Sequence, residues 1–164
     1  MPDKRQGILP YIMEEEAVGV YSLVAKPGDK TGKAIQMVVV PVRLAEGQTL
    51  TPEAISVAGQ DDRDVKHSAR RGAWIAYQEL RNRGIVHPNS EIAQSGVTFD
   101  FAGDMISTIS GPSAGLCFLT KMAQELVEES FCLNGKEVPS WDFAATGILA
   151  SFRSKEKIVE VDAI

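Results

Sequence analysis

Val97-Thr98-Phe99-Asp100-Phe101 alternates apolar and polar positions, the two-residue period of a strand. From Leu116 onward the period changes: Leu116, Phe118, Leu119, Met122, Leu126 and Val127 recur at helical spacing, which predicts a helix from Ser113 to about Glu129. Further strands are expected near Val18 to Val24 and Ala34 to Val42. The turn Pro27-Gly28-Asp29-Lys30-Thr31-Gly32 joins these two into a hairpin. After the polar stretch Ala45 to Thr51 a short strand is expected at Ile55-Ser56-Val57-Ala58. A helix then runs from about Arg63 to Arg83, carrying Val65, Ala69, Ala73, Trp74, Ala76, Tyr77 and Leu80, and Arg83-Gly84 ends it. His87-Pro88-Asn89-Ser90 is a turn, Ala102 to Ile109 an irregular polar loop, and Phe143 to Ser151 and Ile158 to Ile164 are strand-like. This order of elements predicts an α+β fold, a mixed β-sheet with helices packed on one side.

Between the alternating strand and the second helix stands Ser110-Gly111-Pro112-Ser113-Ala114-Gly115-Leu116, a turn that offers one serine at the start of a helix. Proline before the serine and small residues after it let backbone come close to a bound carbonyl. The free amides of a helix start are hydrogen-bond donors of the kind an oxyanion hole needs. Serine is also a preferred N-cap residue, so the local pattern leaves two readings of Ser113 open, cap and nucleophile.

Gly111-Pro112-Ser113-Ala114-Gly115 resembles the nucleophile motif of the Lon protease family, whose proteolytic domain uses a serine and a lysine without histidine. The resemblance runs from about Val18 onward in the family's order. Gly19 to Val24 and Ile35 to Val42 look like its two opening strands, Asp64-Val65-Lys66-His67-Ser68-Ala69 like the start of its first long helix, and Ala144 to Leu149 like the strand after its catalytic helix. It implies an N-terminal segment over 1–17 and a Lon-like peptidase domain over 18–164. The implied activity is serine endopeptidase chemistry on unfolded or extended protein, with Ser113 as nucleophile. Gly111, Pro112 and Ala114 would form the oxyanion and substrate-binding turn, and Thr146 of Thr146-Gly147 would orient the base. A serine hydroxyl needs that base, and a lysine can supply it when burial pulls its pKa toward neutrality.

The family places the lysine just after the strand that pairs with the Thr-Gly strand, and Lys157 to Ile164 looks like that strand. Three alternatives follow: a lysine beyond Ile164 in a chain cut short, a proteolytically inactive interaction or assembly module, or a lysine of the hairpin, with Lys157 preferred to Lys155. Lys155-Glu156-Lys157 also reads as a solvated hairpin tip, and Lys121 as part of a polar helix face directed to water. The chain departs from the family at Ser110, where an acidic residue is common, and at His67, where a glutamate commonly precedes the serine. His67 could act as a base only if the fold brings it to Ser113.

A length of 164 residues with 44% hydrophobic composition suits one domain with a sizeable core. A net charge of −5, and Arg70, Arg71, Arg81 and Arg83 interleaved with apolar residues, give no expectation of nucleic-acid binding. Cys117 and Cys132 make no disulfide framework, and two histidines with two scattered cysteines give no metal site. Neither a signal-peptide core nor a membrane-length apolar run is present, so a cytoplasmic protein without membrane partners is expected. No cofactor is implied. Gly28-Asp29-Lys30-Thr31-Gly32-Lys33 has its glycines too close for a phosphate-binding loop, and alanine follows Lys33. The family's need for an ATPase would therefore be met by another chain, or the domain would act alone on extended peptide received as an added strand at a sheet edge beside Ser113. Self-association into a homo-oligomer is implied by the resemblance only.

Overall fold

The computed structural model describes residues 20–25, 32–59, 62–101, 114–138, 143–145, 148–149 and 161–162. Strands β1 (Val20–Ala25) and β2 (Gly32–Val42) pair antiparallel from Val20↔Met37 to Ala25↔Gly32, the expected hairpin. The long β2 then continues along β4 (Gly96–Phe101), antiparallel from Met37↔Phe101 to Val42↔Gly96. Strand β3 (Ile55–Val57) lies parallel to β4, and β5 (Phe143–Ala145) parallel to β1, giving a five-stranded mixed sheet of order β3-β4-β2-β1-β5. The stretch expected as one strand from Phe143 to Ser151 divides by pairing partner. β5 joins β1, whereas β6 (Ile148–Leu149) pairs antiparallel with β7 (Val161–Asp162) in a second sheet. Thr146 and Gly147 lie outside the described residues, and of the strand expected to contain them Ile148 and Leu149 pair with Asp162 and Val161.

Helix α1 (Arg63–Asn82) is the crossover between the parallel strands β3 and β4. Its start is fixed by Asp62, whose carboxylate accepts from the Val65 amide at 2.9 Å, and Asp64 in the first turn complements the positive end of the helix. It ends at Gly84, whose φ of 71° lets Gly84 and Ile85 donate back to the carbonyls of Arg81 and Leu80. Helix α2 (Gly115–Leu133) ends by the same device at Gly135, φ 68°, about one turn beyond the expected end at Glu129.

Both helices cover one face of the sheet. Val20, Ile35, Met37, Ile55, Val57, Val97, Phe99 and Phe101 point into it and meet Val65, Ala69, Ala73 and Ala76 of α1 and Cys117, Phe118, Met122 and Leu126 of α2. The small residues of α1 let α2 approach closely. A methyl at Gly72 would stand 2.7 Å from the Gly115 carbonyl oxygen and 3.0 Å from the Leu119 nitrogen, so only glycine fits that crossing. The loop before β4 is tied to α2 by Glu129, whose carboxylate accepts from the Ser90 hydroxyl and from the amides of Glu91 at 3.0 Å and Ile92 at 3.3 Å. Three hydrogen bonds to one charged group from a chain segment far away in sequence hold the entry to β4 in place.

One expectation fails here. Lys121 does not point to water: it is 7% exposed on the core side of α2. On α1, Val65, Ala69, Ala73 and Ala76 share the buried face, and Arg63, Arg70 and Arg81 are exposed on the other side.

Candidate functional site

Ser113 and its neighbours Gly111 and Pro112 lie outside the described residues, as do Thr146, Lys155 and Lys157. What is described is the frame on either side of them. Ala114, the residue after Ser113, is 4% exposed and stands at the N-cap position of α2, where its methyl offers no hydrogen bond to the first turn. Gly115, Cys117 and Phe118 follow it into the core. Phe118 makes edge-to-face contacts with Phe99 and Phe101, ring centroids 5.1 and 6.0 Å apart, so the start of α2 rests over the carboxyl end of β4. Its other side is set by Gly72 of α1 against the Gly115 carbonyl. The first turn of α2 is thus held by sheet and helix together, and its amide donors have a fixed direction.

Of the candidate bases, two fall on described residues, and neither faces the start of α2. His67 is exposed, while its neighbour Ser68 is buried on the side of α1 that meets α2 one turn further along, at Gly72. Lys121 is buried, but its ammonium reaches Glu125 Oε1 at 2.7 Å and Gln124 Oε1 at 3.0 Å. Both partners lie toward the carboxyl end of α2, so the amine leans away from the start of that helix. Sequence reasoning missed this group because i,i+3 and i,i+4 polar partners look the same on a solvated face as on a buried one. The available signal was the apolar company of Lys121, with Phe118 three positions before it and Met122 next to it. Replacing Lys121 with methionine keeps its bulk but leaves the half-buried Glu125 carboxylate without its counter-charge. A destabilisation of about 2 kcal/mol is expected, read as a lower urea midpoint; an unchanged midpoint would show that the pair contributes nothing.

Cys117 sits in the first turn of α2 and is the other conceivable nucleophile near the candidate site. Burial pushes its thiol up to about 12, against the opposing pull of a Ser22 hydrogen bond and the Lys121 charge. Its S–H points to Met37 Sδ at 3.9 Å. A thiol in that state is protonated at neutral pH and packs as a small apolar group. Cys132 is exposed near the end of α2. Iodoacetamide on the native protein near neutral pH should therefore alkylate one cysteine, Cys132, with Cys117 reacting only after denaturation. Peptide mapping that finds Cys117 modified in the folded protein would contradict its packing.

Among the described residues no group of three or more His, Cys, Asp or Glu side chains is arranged to hold a metal ion, and no helix is long and apolar enough to cross a membrane. A surface hollow of about 530 Å³ does exist, lined by Arg43, Glu46, Thr49, Glu91 and Ser95, but it opens where β2 ends and β4 begins. That is the opposite end of β4 from Phe101 and the start of α2.

The molecule is thus an α+β protein in which two helices lie on one face of a mixed sheet and cross at Gly72 and Gly115. No family model matches the chain, and no curated protein matches it.

Proposed function

We propose that this chain is a serine peptidase of Lon-like type acting on unfolded or extended polypeptide. The observation that supports the reading is the frame around Ala114. The sequence Gly-Pro-Ser-Ala-Gly runs directly into a helix start that is buried, carries no side-chain cap and is braced by Phe99, Phe101 and Gly72. In this reading Ser113 Oγ attacks the scissile carbonyl while the base takes its proton. Amides around Ser113 and Ala114 stabilise the tetrahedral oxyanion, the protonated base passes its proton to the leaving amine, and water then hydrolyses the acyl-serine. Lys157 is the proposed base and Thr146 the residue that orients it. A separate ATPase chain and a homo-oligomeric assembly are proposed as partners.

The route by which substrate enters needs one revision. Strand β4, which leads to Ser113, is interior to the sheet, and the edge strand beside it is β3, only three residues long. The Ile55 carbonyl of β3 accepts from Arg70 Nε at 3.3 Å and its amide donates to Pro52. Little of that edge is left for an added strand, so the substrate is better received near the start of α2 than along β3.

A second reading, an inactive assembly module, is favoured by Lys121: the buried lysine of the serine helix is committed to Glu125 and turned away. Cleavage of a denatured, reduced protein by the purified chain separates the two. Hydrolysis lost in Lys157→Met but kept in Lys155→Met and His67→Gln supports the peptidase and its base. Absence of hydrolysis both in this chain and in a version extended past Ile164 supports the module.

A further inference from the structure

We infer that the outward face of α1 is a docking surface for an acidic polypeptide segment. On a helix of 3.6 residues per turn, Arg63, His67, Arg70, Trp74, Gln78 and Arg81 fall in one stripe at spacings of three, four and seven, opposite the buried residues Val65, Ala69, Gly72 and Ala76. Arg63, His67, Arg70, Gln78 and Arg81 are exposed, and Trp74 is half-buried in the middle. The stripe runs for about 27 Å at 1.5 Å per residue. It contains no carboxylate. Asp64 lies to one side of it, and Glu79, on the flank, is drawn to Arg83 at 3.4 Å.

Two features set this stripe apart from an ordinary solvated helix face. It is cationic in a chain whose net charge is −5, so its charge is a local exception to the rest of the surface. It also carries a tryptophan, Trp74, which packs partly against the core and leaves the rest of its ring on the stripe. Trp74 is packed at an angle of 38° against Tyr77, ring centroids 5.3 Å apart, at the border of the core. Arginine and tryptophan around a central aromatic are the composition of protein-interface hot spots. Arg70 gives one N–H to the Ile55 carbonyl, which positions its guanidinium and leaves further donors for a carboxylate.

The complementary ligand is a polypeptide with carboxylates flanking one apolar or aromatic side chain that lands on Trp74. In extended form about eight residues would span the stripe. A nucleic acid is the less favoured polyanion. Its phosphates would continue past the stripe over an acidic protein, whereas a short peptide interacts within about one Debye length, roughly 8 Å at physiological salt. The surface is independent of the peptidase reading, because none of its residues belongs to the proposed site.

The test is fluorescence anisotropy of a labelled glutamate-rich peptide with one central phenylalanine, titrated with the full chain. Saturable binding is expected, weakening with added salt. It should fall at least about tenfold in Arg63→Glu/Arg81→Glu, by the logic that charge complementarity sets partner choice, and also in Trp74→Ala. Both arginines are exposed, so the double variant keeps its circular dichroism spectrum and a loss of binding there is not unfolding. A lysine-rich counterpart peptide should not bind. The inference is overturned if the glutamate peptide shows no saturation, if the double variant binds it unchanged, or if a single-stranded oligonucleotide of similar length binds more tightly than the peptide.

Discussion

Replacing Ser113 with alanine is expected to remove peptide hydrolysis by a factor on the order of 10⁴ or more, leaving only the background that positioning and amide donors can give. The magnitude follows from the kind of group lost. A nucleophile is not one contribution among several, because without Oγ no acyl-serine forms and the base has no proton to move. Ala114 behind it is already an alanine with a buried methyl, and α2 begins without any side-chain cap at that position. The substitution therefore leaves the packed frame of Phe118, Phe99 and Gly72 as it was, and the urea midpoint should move by no more than the roughly 1 kcal/mol of an N-cap change. That pairing of readouts also decides between the two roles that the sequence leaves open for Ser113. Activity lost with stability unchanged identifies a nucleophile. A midpoint lowered by about 1 kcal/mol with hydrolysis intact identifies a cap and sinks the peptidase reading at this serine.

The helices and the central strands were legible because each carries its own period. Val97 to Phe101 alternates, with Val97, Phe99 and Phe101 buried, and α1 starts and stops at residues whose chemistry is local, Asp62 at one end and Gly84 at the other. Residues whose setting depends on other parts of the chain were less legible. Lys121 has the i,i+3 and i,i+4 polar partners of a surface residue, Gln124 and Glu125, yet it is buried. Gly135 ends α2 a turn later than the apolar pattern suggests, because Phe131 and Cys132 supply the carbonyls that the glycine turn needs. The short helical turns Pro52–Ala54 and Ile92–Gln94 have no period to read, and the second is fixed by Glu129 from far along the chain. At the candidate site the motif could be read but its setting could not. Nothing local in Ala114-Gly115-Leu116 says that Gly72, in another helix, has given up its side chain to let that start come close.

Phe118→Ala should be the most damaging single change to the fold, at about 3–5 kcal/mol, a large part of the 5–15 kcal/mol that holds a typical domain together. Phe118 is fully buried and stands between the two strand residues Phe99 and Phe101, meeting both rings edge to face. Truncation removes the transfer energy of the ring and both aromatic contacts. The space it leaves cannot close easily, because α2 is already as near to α1 as the Gly72 crossing allows. Phe118→Leu should cost less, since most of the volume remains and only the edge-to-face geometry is lost. Urea denaturation with an unchanged slope reads both values, and a midpoint shift worth less than about 1 kcal/mol for the alanine variant would mean that the three rings do not form the centre of the core. The same series links packing to function. Phe118 is what presses the first turn of α2 onto the carboxyl end of β4, so hydrolysis by Phe118→Leu, measured well below its unfolding midpoint, should still fall relative to the wild-type chain. The direction of the amide donors, and not merely the amount of folded protein, then depends on that ring.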